Sequence, residues 1–241
     1  MLENLKRDTT VENETDFLGG GVLDSALYDF VVNMAYFDTS KGGANSLNLE
    51  LKAANGATMR TVLWITSGTA KGCKNYYEDK QGKRRYLPGF NQANAICMLG
   101  IEKEISNVVP EKKVIKVYDF DAKKEVPTEK DVIMELIGAQ ITCGVVKQVV
   151  DKNVKNAAGD YVPSGETREE NEIDKCFRTA DGMTVAELTS GETEPAFKAK
   201  WDEKNAGKVR MRAKGATAAN AASASSPATA GAGAQTESLF K

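Results

Sequence analysis

Three runs of alternating apolar residues constrain this chain more than any other feature. Tyr28, Phe30, Val32, Met34 and Tyr36 recur at every second position, and so do Leu47, Leu49 and Leu51 between polar neighbours. Thr58 to Thr66 carries Val62, Leu63, Trp64 and Ile65. Side chains alternate between the two faces of a strand, so a period of two predicts strands with one buried face. Lys41-Gly42-Gly43 lies between the first two runs and Gly56 precedes the third, which predicts a meander joined by tight turns.

Helical signals are fewer. Ala93, Ile96, Cys97 and Leu99 form a helical stripe within 91–104 that Gly100 weakens. Pro127 and Thr128 open a second expected helix over 128–137, with Gly138 as its stop. Ile141 to Val150 reads as a strand, 151–160 as a polar hairpin tip, and Tyr161-Val162-Pro163 as the start of the return. Glu172 to Arg178 reads as a last strand, and 183–188 and 194–205 as short helices. The expected class is mainly β with helical insertions, as a small β-barrel; a β-sandwich fits the same pattern.

Composition divides the chain into an arm, a body and a tail. Residues 1–20 are polar and end next to Gly21, which predicts a poorly ordered arm. A single domain over 21–207 follows. In 213–236 eleven of 24 residues are Ala, and none is aromatic or branched aliphatic. Such a stretch buries too little apolar surface to offset its ordering entropy, so 208–241 is expected to be a disordered tail. It carries two large apolar groups near its end, Leu239 and Phe240, which read either as a meaningless terminus or as a partner-docking tip on a flexible tether.

Several functions are made improbable by what is missing. Among 241 residues there is no histidine. That removes Ser-His-Asp and Cys-His catalysis and any zinc site with a histidine ligand. Cys73, Cys97, Cys143 and Cys176 contain no CxxC pair, so four free thiols are expected in a reducing compartment. No apolar run approaches the ~20 residues of a membrane helix, and no signal peptide is recognisable. Asp119 and Asp121 suggest paired metal ligands only weakly and read better as a turn. No enzyme activity and no cofactor are expected.

The segment richest in binding chemistry is 71–90, KGCKNYYEDKQGKRRYLPGF. Lys71, Lys74, Lys80, Lys83, Arg84 and Arg85 face only Glu78 and Asp79, and Tyr76, Tyr77, Tyr86 and Phe90 are interleaved. Cations neutralise phosphates and aromatic faces stack unpaired bases, the combination that sequence-independent single-strand binding needs. The competing reading is a charged loop whose rings pack on the core. A second basic set holds Lys147, Lys152, Lys155 and Arg168, with Tyr161 among them. Acidic residues gather elsewhere, in 3–16 and 166–174, so a net-acidic body retains basic surface.

Long strings of the chain resemble bacteriophage single-stranded DNA-binding proteins. They are LENLKRDTTVENETDFLGGG with VLDSALYDFVVNMAYF, WITSGTAKGCKNYYEDKQGKRRYLPGFNQAN, and KQVVDKNVKNAAGDYVPSGETREENEIDKCF. The resemblance covers 1–212 and extends to the low-complexity tail ending in Ser238-Leu239-Phe240. It implies an OB-fold, a Greek-key barrel that holds single strands on a strand face and its loops. It also implies work in replication and recombination in the cytoplasm of an infected host, with partner proteins recruited through the C-terminus. On local composition, Lys71, Lys74, Tyr76, Tyr77, Lys83, Arg84, Arg85 and Tyr86 are the expected contacts to single-stranded DNA, followed by Lys152 and Lys155. Trp64 stacks bases if it is exposed. Leu239 and Phe240 are the expected partner-binding residues. The tail departs from the strongly acidic tails of many single-strand binders, since it has only Glu237 and ends in Lys241. Two other readings compete: a phage structural or assembly protein with a β-sandwich body, and a metal-dependent nuclease using Asp119 and Asp121.

Overall fold

A computed structural model describes residues 21–119, 122–156 and 161–214. The expected N-terminal arm, most of the tail, and the tip residues Leu239 and Phe240 lie outside the described residues, as does Asp121. The chain is mainly β. Its strands are β1 (Ala26–Thr39), β2 (Asn45–Ala53), β3 (Thr58–Trp64), β4 (Tyr76–Glu78), β5 (Arg84–Tyr86), β6 (Glu111–Asp119), β7 (Lys124–Val132), β8 (Gln140–Lys155), β9 (Tyr161–Phe177) and β10 (Val209–Met211). The helices are α1 (Pro88–Ile101), α2 (Val185–Thr189) and α3 (Phe197–Asn205).

The chain divides into two compact units. The larger holds residues up to Lys147 together with Asn171–Val209, and the smaller holds Gln148–Glu170 and the chain from Arg210. Strands β8 and β9 contribute residues to both.

In the larger unit the expected meander is present: β1 pairs antiparallel with β2, and β2 with β3. Leu47, Leu49 and Leu51 are buried, as their alternation predicts. The alternation of β1 is not uniform. Its register against β2 shifts between Val32 and Met34, so Asn33 is the extra residue of a bulge. Before the bulge Phe30 and Val32 point into the core; after it Ala35 does, at 0% exposure. Tyr36, one residue out of phase, is thereby placed opposite Asn48 on the outer face. A one-residue slip exchanges the faces of every side chain that follows.

The second edge of β1 is shared. Ala26–Val31 pair with β8, and Tyr36–Phe37 pair with β7. Between these stretches Val32 donates to Ala139 O and accepts from Gly138 N. At the other end β3 pairs only with β2 among the described strands. The expected closed barrel is therefore not formed: its outermost strand finds no partner that would close it.

Helix α1 confirms the stripe, burying Ala93, Ile96, Cys97 and Leu99. It starts three residues early because Pro88 occupies its first turn, where a missing N–H costs nothing. A Cβ on Gly89 would sit 2.4 Å from the Trp64 carbonyl oxygen, so glycine lets the helix begin against the end of β3. The helix expected over 128–137 is absent. Residues 124–132 form β7, and Met134–Leu136 make a single 3-10 turn. Strand β6, unread in the sequence, supplies nine cross-strand pairs that outweigh the helical signal of Pro127 and Thr128. The proline is tolerated because β7 meets β1 only at Val132 and Asp131, which leaves its second edge unpaired there.

The core gathers the inner faces of β1–β3, α1 and β8, with Ile173 and Cys176 of β9. A second cluster joins Val146, Phe177 and Trp201, the last from α3. The expected strand over 172–178 is the end of the longer β9, and the expected helices at 183–188 and 194–205 correspond to α2 and α3. In the smaller unit the first part of the expected tip 151–160 is strand, since β8 runs on to Lys155, and 157–160 lie outside the described residues. No helix among the described residues is long and apolar enough to cross a membrane.

Candidate nucleic-acid interface

The basic-aromatic segment forms a small two-stranded hairpin, β4 with β5, rooted between β3 and α1. Four backbone-level contacts fix its root. Ser67 N donates to Lys74 O at 2.8 Å, and the Ser67 hydroxyl accepts from Lys74 N at 2.9 Å. Leu87 N donates to Asn75 O at 2.8 Å. Thr69 N donates to Gly42 O at 2.8 Å, tying the segment to the β1–β2 turn.

Asp79 organises the hairpin turn. Its Oδ1 accepts from the amides of Gln81 and Lys83, both at 3.0 Å, and its Oδ2 accepts from Arg85 Nε at 2.7 Å. The Arg85 hydrogen bond, then that of the Lys83 amide, holds the Asp79 carboxyl below the usual aspartate range. A side-chain acceptor closing a turn over its own backbone is the common use of aspartate at such positions.

Register decides which side chains share a face. Tyr76 opposes Tyr86, Tyr77 opposes Arg85, and Glu78 opposes Arg84. Directly opposed residues lie on one side of a ladder and neighbours on the other. One side thus presents Tyr76, Glu78, Arg84 and Tyr86, and the other Tyr77 and Arg85. On the first side the Tyr76 ring carries the Arg84 guanidinium 5.0 Å from its centroid and the Lys74 ammonium at 5.6 Å. Tyr86 packs on Phe90 with centroids 4.9 Å apart yet remains 56% exposed. Asn75, Tyr76, Arg84 and Tyr86 line a depression of about 430 Å³.

The cations are not equally available. Arg85 is held by Asp79. Arg84 meets Glu78 only at 3.5 Å, with both side chains largely in solvent. Among the described residues no carboxylate lies in ion-pair range of Lys71, Lys74, Lys80 or Lys83. Exposed pairs such as Arg84–Glu78 contribute little and exchange readily.

Trp64, at the end of β3, is 48% exposed. It shares the outer face of β1–β3 with Val62, Tyr36 and Arg60, which pairs with Glu50 at 2.9 Å. Tyr36 and Arg60 are the candidates that sequence reading missed. Arg60 was legible by alternation within the third run; Tyr36 was hidden because its phase depends on the bulge.

The second basic set divides between the two units. Lys147 belongs to the larger unit, largely buried and 3.8 Å from Asp24. Lys152 and Lys155 belong to the smaller one. Lys152 pairs with Glu166 at 2.8 Å, and Lys155 lies 5.4 Å from the centroid of the Tyr161 ring, which is 69% exposed. Arg168 pairs with Glu170 at 3.0 Å. Of this set, Lys155 with Tyr161 repeats the cation–ring contact that Tyr76 makes on the hairpin, here with an open ring. No protein-family model matches the chain, and no curated protein matches it.

Proposed function

We propose that this chain binds single-stranded DNA without catalysing a reaction, as a coating protein of phage replication and recombination in the host cytoplasm. The observation that carries this reading is the β4–β5 hairpin. It holds an open tyrosine ring, Tyr86 at 56% exposure, among cations most of which have no carboxylate partner among the described residues. Unpaired bases match both the size and the flat face of such a ring. Unlike an oily docking patch, this surface also carries charge for the phosphates that accompany those bases.

The strand arrangement supports an OB-type reading of the larger unit. Its β1 carries a bulge, pairs with β2 from Phe30 to Thr39, and shares its other edge between β7 and β8. A helix follows β3 before β8 and β9 complete the run. In OB-folds, which are partly open, strands 2 and 3 and the adjoining loops hold oligonucleotides. In this reading the exposed Trp64, Val62 and Arg60 of β3 are the matching face. Lys152 and Lys155, on the β8–β9 hairpin, are secondary contacts in this reading, and Leu239 and Phe240 engage a replication or recombination protein.

The test is fluorescence anisotropy of a labelled thymine oligonucleotide, titrated at two salt concentrations with a duplex of equal length as competitor. Tight, salt-sensitive binding that the duplex does not displace supports the proposal. Absence of binding at low salt refutes it and favours a structural or assembly role.

A further inference from the structure

The two sides of the β4–β5 hairpin differ in how tightly their arginine is held and in ring environment, and the difference identifies where a nucleotide sits. We infer that the side formed by Tyr76, Arg84 and Tyr86 is a single-nucleotide subsite, with a phosphate on Arg84 and a base on Tyr86. The opposite side, Tyr77 with Arg85, lies outside the contact. This rests on the single-strand reading above and goes further by assigning the faces.

Arg85 is the less available cation. It donates to Asp79 at 2.7 Å, and that carboxylate is itself held by two backbone amides of the turn. To reach a phosphate, Arg85 would have to abandon a preorganised, charge-assisted bond and leave Asp79 facing the same polyanion. Arg84 has no such tie. Its partner Glu78 is 3.5 Å away, and their side chains are 69% and 58% exposed. Exchanging that contact for a phosphate fork replaces a weak pair with a stronger one.

The rings sort in the same way. The Tyr76 ring has Lys74 and Arg84 within 5.6 Å of its centroid, so it orients cations rather than receiving a base. Tyr86 is backed by Phe90 at 4.9 Å, which stiffens it, while more than half of its surface is open. The depression of about 430 Å³ adjoins Arg84 and Tyr86 together, where one nucleotide can touch both. Asn75 on its wall adds a side-chain amide suited to a base edge.

The experiment uses the full-length chain and a labelled thymine oligonucleotide over a salt series. Arg84→Gln is expected to weaken binding about fivefold at 0.1 M salt and to reduce the slope of log K against log salt by roughly 0.7, the value of one released counterion on a single strand. Tyr86→Leu is expected to cost at least about fivefold at every salt concentration, and Tyr86→Phe to retain affinity because it keeps the ring. The pair Asp79→Asn with Arg85→Gln, and separately Tyr77→Leu, are expected to stay within about twofold of the parent. Irradiating the unmutated protein on a strand containing 5-iodouracil is expected to attach the base to Tyr86. Loss at the Asp79–Arg85 pair or at Tyr77 equal to that at Arg84 or Tyr86 overturns the assignment of faces while leaving single-strand binding intact. Attachment at Tyr77 does the same without any mutation. Failure of the parent protein to bind at low salt overturns the functional reading and this inference together.

Discussion

Placing a methyl group on Gly144 tests how the α3 helix is held against the sheet. An ideal Cβ at that position lies 2.6, 2.7 and 2.9 Å from Cζ2, Cε2 and Cη2 of Trp201. Carbon atoms rest at about 3.5–4.0 Å, so the indole must retreat by roughly 1 Å. It has little room, being 3% exposed and packed edge-on to Phe177 at a centroid distance of 6.4 Å. A retreat also stretches the 2.7 Å hydrogen bond from Trp201 Nε1 to the Asp174 carboxylate. Overpacking costs about 1–3 kcal/mol, and losing a bond to a charged acceptor about 1.5–3 kcal/mol. Lower backbone entropy in the unfolded chain returns about 0.4–1 kcal/mol. Gly144→Ala is therefore expected to destabilise by roughly 2–4 kcal/mol. The assay is urea denaturation followed by far-ultraviolet circular dichroism, read as a lower midpoint at constant slope. In a Trp201→Leu background the crowding atoms are gone, and the same glycine change is expected to cost less than about 0.5 kcal/mol. A Gly144→Ala protein within 0.5 kcal/mol of the parent, or an equal cost in both backgrounds, refutes the steric argument.

Trp64 is about half exposed and Trp201 is buried, so strand binding is expected to quench emission from Trp64 alone; quenching that persists in Trp64→Phe would exclude it from the interface. A native-state thiol assay is expected to modify one cysteine, the exposed Cys73, and four only after unfolding. Burial, with Glu135 nearby, pushes the Cys97 thiol up to about 12, and a hydrogen bond with Cys176, then burial, raises that of Cys143. More than one rapidly reacting thiol in the folded protein contradicts this packing. The Asp79 carboxyl is depressed in the folded state, so its contribution to hairpin order is complete above the unfolded aspartate value of about 3.9 and is lost as pH falls through the lower folded value. The Lys83 amide resonance is expected to titrate with a midpoint below 3.9 and to lose that titration in Asp79→Asn; a midpoint at or above it refutes the turn's assignment.

Much of the larger unit was legible because its signals are local. The leucines of β2 alternate without interruption, and their burial follows from the two-residue repeat of a strand. The stripe of α1 is likewise local, although the helix starts at Pro88, three residues before the stripe suggested. The composition of 71–90 marked the hairpin, since six cations and four rings in twenty residues are rare in a packed core. Strand β6 escaped notice because the β6–β7 ribbon is mostly exposed, and a ribbon with little buried face need not alternate. The helix expected over 128–137 failed for a related reason: weak local propensity yields to cross-strand pairing that only the fold supplies.

By itself the sequence determined the strand class, the first meander, the α1 helix and the residue types of the basic-aromatic segment. These depend on spacing and composition, which a linear chain displays in full. Only the tertiary structure decided that β1 changes phase at Asn33 and turns Tyr36 outward. Only it paired Arg85 with Asp79, left Arg84 loosely held, and set Tyr86 beside Arg84 on one side of the hairpin. Those outcomes depend on register and on which partner reaches a side chain first, and both are set by contacts between strands rather than by any one segment.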